Sequence, residues 1–428
     1  MSIAAPQATI VKPQPQLAGS FRTSFIMAWL FCVIFYFLQY AVRSAPSVML
    51  PELKSAFALD TLGLSSLIGL YYYTYSTFAL IAGAALDRWG AKYPISIGTA
   101  LLAAGIALFG LGDQSLAGLG RLLQGAGAAF AFTGAVYLAA HGFPRRYLAT
   151  AIGITQCVGM LGGSAGQFAV APLIHGAISW QSFWIYAGAV TFVVAIILLF
   201  VTPTLDADEK KPNSTIWTMF APYKIVLSNP QTWLCGLCAG LLFLPTTAGS
   251  MVWGVSFLRE GWGLPYPEAV DRAAMVPFGW VIGAPALGFV ADRIGLRKPA
   301  LYFGVVLMLV SMAAILYLPP NTAPHYLLAF LLGFGSGAAM IPYSIIKEAN
   351  PDEVKGSATG AINFLVFVIS AAGAPAFGWL LQKFAGGAAL QLPNFVEGGG
   401  SMIAVIVLGG LAALFLKETG AAAKKPAG

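Results

Sequence analysis

Charged residues are scarce in this chain. Only 9% of its 428 residues are Asp, Glu, Lys or Arg, whereas 58% are hydrophobic. Soluble domains carry roughly a quarter of their residues as charges, so this composition excludes a soluble globular protein and predicts a polytopic membrane protein. At about 20 residues per span plus a short loop, the length accommodates about ten to twelve membrane helices.

The motifs of enzymes and metal proteins are also missing. All four cysteines lie in apolar stretches, where neither a disulfide framework nor a zinc site is expected. The three histidines are far apart, and neither a nucleophile–base spacing nor a phosphate-binding loop is present. The basic residues are scattered rather than clustered, which argues against a nucleic-acid partner. We therefore expect neither an enzyme nor a bound cofactor.

Twelve apolar segments follow one another along the chain. They cover residues 23–50, 62–86, 93–112, 115–140, 148–172, 180–202, 231–258, 273–291, 299–319, 325–346, 356–382 and 400–416. Twelve spans place both termini on one side of the lipid bilayer, and most of the 23 basic residues lie on that side. The positive-inside rule then predicts cytoplasmic termini in a bacterial inner membrane.

The longest connection divides the spans into two groups of six. The predicted units are a disordered cytoplasmic tail (1–22), an N-terminal six-helix bundle (23–202), a cytoplasmic linker (203–230), a C-terminal six-helix bundle (231–417) and a cytoplasmic tail (418–428). An internal repeat supports this division, because the pattern G-x-x-x-D-R-x-G that begins at Gly83 recurs 205 residues further on, at Gly288. A repeat of this length indicates a duplicated six-helix unit.

These motifs resemble those of the major facilitator superfamily. The resemblance covers about residues 23–417: the repeated pattern matches the family signature between spans two and three, and Arg121-Leu-Leu-Gln124-Gly-Ala-Gly127 matches the R-x-x-Q-G-x-G pattern of span four. It implies an all-α membrane fold of two pseudo-symmetric six-helix bundles around a central cavity. Spans 1, 4, 7 and 10 would line this cavity, which would open alternately to each side.

The repeated loops predict a conformational latch. Their glycines allow close helix approach, and an aspartate beside a helix N-terminus can be held by the helix dipole. Such a contact would stabilise one conformation and break in the other. The latch residues are Gly83, Asp87, Arg88, Gly90, Gly288, Asp292, Arg293 and Gly295. The alternative for the basic members is that they only set the topology.

Arg43 is the most informative single residue. It lies inside the first span, where an ionised side chain costs at least ~2.5–3.5 kcal/mol near the bilayer centre. Arg121 lies at a similar depth in span four, and two guanidinium groups at one cavity predict a bound carboxylate or phosphate. The alternatives are that Arg43 reaches the outer interface and that Arg121 has a family-wide role unrelated to substrate.

No acidic residue lies near the middle of a predicted span. An embedded partner for Arg43 is therefore not expected, and the cavity should be electropositive. Glu348, at the inner end of span ten, is the nearest candidate for proton coupling. Alternatively, a proton is carried on the anion itself, or one anion exchanges for another.

Other polar residues on apolar helices complete the predicted substrate site. Gln156 and Asn363 occupy equivalent positions, 207 residues apart in the two halves. The remaining candidates are Tyr36, Gln39, Tyr40, Tyr72, Tyr75, Trp253 and Tyr343. Interhelical hydrogen bonding and packing are the alternative for the amides and the tyrosines.

The sequence thus predicts a monomeric secondary transporter that moves a small organic anion, a carboxylate or a phosphorylated metabolite, across the membrane. The segment Tyr40-Ala-Val-Arg43-Ser resembles the organic-anion and sugar-phosphate branch of the superfamily, which carries an arginine in span one. One alternative is a carrier of neutral or zwitterionic metabolites, such as amino acids or nucleosides, or an exporter. Another is a transporter-like sensor that binds a ligand and signals to a partner.

Overall fold

The structure is a computed structural model that describes residues 21–204, 220–319, 324–351 and 354–424. The regular elements of these residues are all helical, and twelve principal helices are labelled α1–α12 in chain order. The first six are α1 (Thr23–Ser44), α2 (Thr61–Trp89), α3 (Lys92–Gly110), α4 (Gln114–Gly142), α5 (Arg145–Phe168) and α6 (Trp180–Val201). The second six are α7 (Pro230–Leu244), α8 (Tyr266–Ile294), α9 (Lys298–Tyr317), α10 (His325–Ser336), α11 (Lys355–Ala385) and α12 (Leu392–Leu414).

Several spans continue beyond these helices. A π-helical segment, Pro245–Trp253, extends α7, and a 3₁₀ turn leads α10 into a further helix, Ile341–Glu348. Eleven helices in the described residues are long and apolar enough to cross a membrane, and the bent pair Leu50–Phe57 and Thr61–Leu86 brings the number to twelve. The predicted all-α fold is therefore confirmed. Residues 1–20 of the predicted tail and 205–219 of the predicted linker lie outside the described residues, and the rest of the linker includes a short helix, Ala221–Ser228.

Two helix starts were predicted wrongly. The helix α8 begins at Tyr266 rather than at 273, and α12 begins at Leu392 rather than at 400. In α8 the charges of Glu268 and Arg272 pair one turn apart, which allows polar residues in an apolar helix. In α12 a capping box between Gln391 and Asn394 starts the helix inside a polar stretch.

Small residues bring the helices into close contact within each half. A Cβ atom on Gly105 of α3 would lie 2.5 Å from the carbonyl oxygen of Gly120 in α4. In the second half, a Cβ on Gly333 of α10 would lie 1.8 Å from the carbonyl oxygen of Val276 in α8. Backbones this close require glycine, which is the packing expected of membrane helices.

The two halves meet along α2 with α11 and along α5 with α8. We call the side of the molecule where α1 begins and α12 ends the terminal side, and the other side the opposite side.

On the opposite side, a cluster of hydrogen bonds joins the two halves, and we call this cluster the opposite-side gate. Its bonds are Ser65 to the Ala374 carbonyl (2.5 Å), Ser164 to the Ala274 carbonyl (2.9 Å), Gln167 to the Ser250 carbonyl (3.2 Å), Tyr266 to the Val48 carbonyl (2.7 Å) and Gln382 to Asp60 (2.5 Å). The conformation is therefore one closed on the opposite side.

The two predicted latch loops lie on the terminal side. In the first, Gly83 and Arg88 belong to α2, Gly90 ends that helix with φ 73°, and the side chain of Asp87 lies outside the described residues. In the second, Gly288 and Arg293 belong to α8, and Gly295 ends it with φ 74°.

Asp292 of the second loop is bound by a side chain rather than by a helix N-terminus. It forms an ion pair with Arg297, which also binds Glu348 at 2.6 Å. The Glu348 carboxylate raises the pKa of Arg297. The latch function of these residues stays a prediction.

Glu418 caps α9 from the C-terminal segment. Its carboxylate accepts hydrogen bonds from the backbone N–H groups of Arg297 (2.7 Å) and Lys298 (2.9 Å), and from those of Thr419 and Gly420. Partial burial raises the pKa of Glu418, but these bonds outweigh burial and hold the pKa below its usual range.

Replacing Glu418 with glutamine should lower the stability at neutral pH by about 1 kcal/mol, the typical loss for an N-cap. Because the folded-state pKa is lowered, the contribution of Glu418 is present above about pH 4.5 and disappears as the pH falls further. Melting temperatures of the wild type and Glu418→Gln at pH 7 and pH 4 check this. Glu397→Gln, at an exposed acid of α12, is the matched control; an equal gap at both pH values would contradict the prediction.

Candidate functional site

A central cavity lies between the two halves, and both halves contribute to its wall. Six of the predicted site residues line it: Tyr36, Tyr40, Tyr75, Gln156, Tyr343 and Asn363. The aromatic residues Phe132, Phe243, Trp280 and Phe367 also line it. The helix α1 contributes because Tyr36, Tyr40 and Arg43 are spaced four and three residues apart and share one face.

Arg43 lies directly behind the wall of this cavity. Its side chain is 1% exposed, and its guanidinium carbon is 4.0 Å from the centre of the Tyr40 ring. The rings of Phe243 and Phe367 lie at 5.7 and 5.6 Å and belong to the second half. The ring of Tyr72, from the first half, lies at 5.9 Å. The cation therefore sits in an aromatic cage at the junction of the two halves.

The guanidinium has no acidic partner among the described residues. Its Nη2 makes a weak hydrogen bond of 3.9 Å to Met251 Sδ, while Nε and Nη1 are buried without any hydrogen-bond partner. A buried charge in this condition is costly, since buried charges in proteins are normally paired. Arg43 thus retains at least two donors for an acceptor that the protein does not supply.

Two other buried groups near the cavity also carry donors without a partner among the described residues. Gln39 is fully buried, and its Oε1 accepts a hydrogen bond of 2.7 Å from Tyr71, but its Nε2 has no partner. On the cavity wall, Trp280 Nε1 is also buried without a partner. An excess of buried donors around one cation is an electropositive site suited to an anion.

The two amides of the cavity form matching pairs. Tyr36 donates to Gln156 Oε1 at 3.2 Å, and Tyr343 donates to Asn363 Oδ1 at 2.7 Å. One pair comes from each half, but the internal repeat relates only the two amides, because Tyr36 lies in span one and Tyr343 in span ten. Close helix approach sets the first pair, because a Cβ on Gly159 of α5 would lie 2.2 Å from the Tyr36 ring.

Arg121 is held away from the cavity by other residues. Its Nε and Nη2 donate to the Ile68 carbonyl at 3.4 and 3.1 Å, and its Nη1 donates to Gln124 at 2.7 Å. Gln124 in turn donates to the Gly105 carbonyl of α3 at 2.9 Å. These bonds join α2, α3 and α4, so the guanidinium fork is filled by acceptors of the protein itself.

Three other predicted site residues also lie away from the cavity wall. Tyr72 is buried against Arg43 and Phe367. Trp253 lines a second cavity inside the C-terminal half. Glu348 lies on the terminal side, where it binds Arg297 and accepts a hydrogen bond of 2.6 Å from Thr419.

Replacing Arg121 with glutamine should therefore lower stability and leave substrate preference unchanged. Loss of the guanidinium leaves the buried Oε1 of Gln124 without its donor, at about 1–3 kcal/mol. The melting temperature and the rank order of transported solutes check this. A changed rank order with an unchanged melting temperature would contradict the structural role.

The sequence prediction missed the cage residues that the second half contributes. Phe243, Phe367 and Met251 are apolar residues on apolar helices, so nothing in their local sequence distinguishes a cavity wall from a lipid-facing surface. Trp280 is different. Tryptophan in membrane helices concentrates at the interfaces, so its position near the middle of α8 is the signal that could have identified it.

The fold and this cavity place the chain in a known family. The family model for the Major Facilitator Superfamily matches residues 32–375 and 273–428. The chain therefore belongs to the Major Facilitator Superfamily, as the sequence motifs predicted, and it is a multi-pass membrane protein of a transporter family rather than an enzyme.

Relatives and solved structures agree with this assignment. The chain is 24% identical to the membrane sensor protein UhpC of Escherichia coli (strain K12) over 85% of both chains. It is 25% identical to the cis,cis-muconate transport protein of Acinetobacter baylyi, covering 91% of this chain and 95% of that protein. The hexuronate transporter of Bacillus subtilis is 22% identical over 82% of this chain and 87% of its own length.

Among solved structures, the nucleoside transporter NupG (D323A mutant) has a TM-score of 0.72 at 14% identity, over 91% of this chain and 99% of that chain. A bacterial homologue of the human lysosomal transporter Spinster, in an inward-facing and unoccupied conformation, has a TM-score of 0.70 at 18% identity, over 93% and 97% of the chains. At these low sequence identities, the similarity to the solved structures shows a shared fold and nothing about the substrate.

Proposed function

We propose that this protein transports a small organic anion, a carboxylate or a phosphorylated metabolite, and that Arg43 binds the anionic group. The observation that carries the proposal is the buried Arg43 guanidinium, which has two unpartnered nitrogens behind a cavity wall shared by both halves. A planar guanidinium binds carboxylate or phosphate oxygens through two parallel hydrogen bonds. Among the relatives, the muconate and hexuronate transporters are named for carboxylate substrates.

The residues around Arg43 have distinct roles in this proposal. An anion that reaches the guanidinium replaces the weak contact to Met251 with charge-assisted hydrogen bonds, and the Gln39 amide adds a further donor. Tyr36 with Gln156 and Tyr343 with Asn363 orient the uncharged part of the substrate from the two halves. Because Arg43 belongs to one half and Met251, Phe243 and Phe367 to the other, an anion bound there contacts both.

This position links binding to a change of conformation. Alternating access requires that the opposite-side gate opens while the terminal side closes, and a ligand favours whichever conformation it contacts best. An anion held between Arg43 and the second half contributes to this choice directly. Glu348 is the predicted site of proton coupling, and exchange for a counter-anion is the alternative.

Uptake into proteoliposomes tests the proposed function. The panel pairs cis,cis-muconate, a hexuronate and a sugar phosphate with uncharged analogues, under an imposed pH gradient and with or without anion inside. We expect saturable uptake of at least one anion by the wild type and loss of that uptake in Arg43→Met. The control Arg22→Gln removes an exposed arginine before α1 and should retain that uptake. Uptake of neutral solutes that survives Arg43→Met would instead support the neutral-metabolite carrier.

A ligand sensor is a second candidate, because two of the relatives are named membrane sensor protein UhpC. Both candidates need the same Arg43 site, but only a transporter moves solute. Binding of an anion that depends on Arg43, together with no uptake of that anion in proteoliposomes under any gradient, would favour the sensor.

A further inference from the structure

A second cavity lies inside the C-terminal half, apart from the central one. The π-helical segment Pro245–Trp253 forms one wall, and α8, α9, α10, α11 and α12 contribute the others. Most of the lining is hydrocarbon, with Met312, Leu316, Leu332, Phe377 and Met402 among the contributing residues. A space of this kind suits an apolar ligand body.

Two side chains of this cavity carry donor atoms without a partner among the described residues. Trp253 is 2% exposed, and its Nε1 has no hydrogen-bond partner. Arg272 donates through Nη2 to Glu268, but its Nε and Nη1 are buried without partners among the described residues. The cavity therefore combines an apolar interior with three donor nitrogens that have no partner among the described residues. Two of them belong to the Arg272 guanidinium and the third is Trp253 Nε1.

We propose that this cavity is a second ligand site, for an amphipathic carboxylate whose apolar chain fills the hydrocarbon interior. The carboxylate accepts hydrogen bonds from Arg272 Nε and Nη1 and from Trp253 Nε1. Glu268 pairs with Nη2 of Arg272, and Nε and Nη1 still lack an acceptor among the described residues. An alcohol of the same length fills the same space but offers these two nitrogens only an uncharged acceptor, and an amine adds a second cation beside them.

The second site is separate from the anion site but adjoins it through one segment. Within Pro245–Trp253, Met251 contacts Arg43, whereas Ser250 and Trp253 line the second cavity. The Ser250 carbonyl also accepts the Gln167 hydrogen bond of the opposite-side gate, at 3.2 Å. A ligand in the second cavity therefore packs on the same π-helical segment that contacts the central site.

Binding of decanoate to the full chain in lipid nanodiscs tests the proposal, with decanol and lysophosphatidylcholine as comparison ligands and empty nanodiscs subtracted. We expect decanoate to bind about tenfold more tightly than either comparison ligand. Arg272→Gln should reduce decanoate binding to the level of decanol. Ala329→Phe, which fills the cavity, should reduce binding of both.

Arg43→Met is the control for the central cavity and should leave decanoate binding unchanged. Equal binding of decanoate and decanol, or tighter binding of lysophosphatidylcholine, would overturn the proposal. So would decanoate binding that is lost in Arg43→Met and retained in Arg272→Gln. Unchanged melting temperatures of Arg272→Gln and Ala329→Phe would show that a loss of decanoate binding is not a loss of fold. Because decanoate binding is measured without transport, the outcome of the uptake test does not change its interpretation.

Discussion

Replacing Arg43 with methionine should weaken anion binding strongly and, at the same time, make the ligand-free protein more stable. A charge-assisted hydrogen bond contributes about 1.5–3 kcal/mol, so losing the guanidinium should weaken anion affinity by about 10–100-fold or more. Arg43→Lys keeps the charge but not the two parallel donors, so its affinity should fall between those of the wild type and Arg43→Met.

The gain in stability follows from the buried charge. In the ligand-free protein the guanidinium is 1% exposed and has no acidic partner among the described residues. An uncompensated buried charge costs about 3–5 kcal/mol, which exceeds the ~0.5–2 kcal/mol of a cation–π contact. A methionine of similar length removes that cost, so we expect a net gain of about 1–3 kcal/mol.

Thermal unfolding of purified protein without ligand measures this gain, and a binding titration measures the affinity. Arg121→Gln is the matched control, because its guanidinium is bonded to Ile68 and Gln124 and its loss should destabilise. If Arg43→Met lowered the melting temperature as Arg121→Gln does, Arg43 would be a structural residue rather than a ligand-binding one.

A bulkier residue at position 378 should open the opposite side. A Cβ atom on Gly378 of α11 would lie 2.4 Å from the Cβ of Ser65 in α2, at one of the hydrogen bonds of the opposite-side gate. Overpacking of this kind costs about 1–3 kcal/mol. In Gly378→Val the overpacking destabilises only the conformation in which the opposite-side gate is closed. The ratio of open to closed molecules should therefore increase by about 5–150-fold.

Cysteine labelling from the opposite side detects this shift. The reporter is Ser164→Cys in a background without the four native cysteines, since Ser164 is 1% exposed and belongs to the same gate. Labelling by an impermeant maleimide should be slow in the parent and fast with Gly378→Val. Gly400→Val is the control, because a Cβ there meets nothing within 4 Å. Equal labelling rates in all three proteins would refute the proposed gate.

The sequence was sufficient for the fold because membrane helices depend on a simple property. A span needs about 20 apolar residues, and the bilayer forces the backbone into helices. Helix ends were less certain, because they depend on local contacts such as the Glu268–Arg272 pair of α8. Such contacts let charged residues extend an apolar helix, and hydropathy alone does not detect them.

The site was predictable where an unusual residue type marks it. Arg43, Gln156 and Asn363 are polar residues on apolar helices, and the structure brings all three to the central cavity or its wall. Depth along a helix did not settle which way a side chain points. Arg121 matches Arg43 in depth, yet it bonds to Ile68 and Gln124. That difference depends on helix rotation and on the neighbouring carbonyls, which the sequence does not specify.

Thermal stabilisation by matched ligands tests most directly whether Arg43 is an anion site. Each acid is compared with its amide, such as a hexuronate with the hexuronamide, so that only the charge differs. For at least one pair, the acid should raise the melting temperature of the wild type and the amide should not, and Arg43→Met should remove the difference. A difference that persists in Arg43→Met would contradict the role of Arg43, as would a wild type that responds equally to acid and amide.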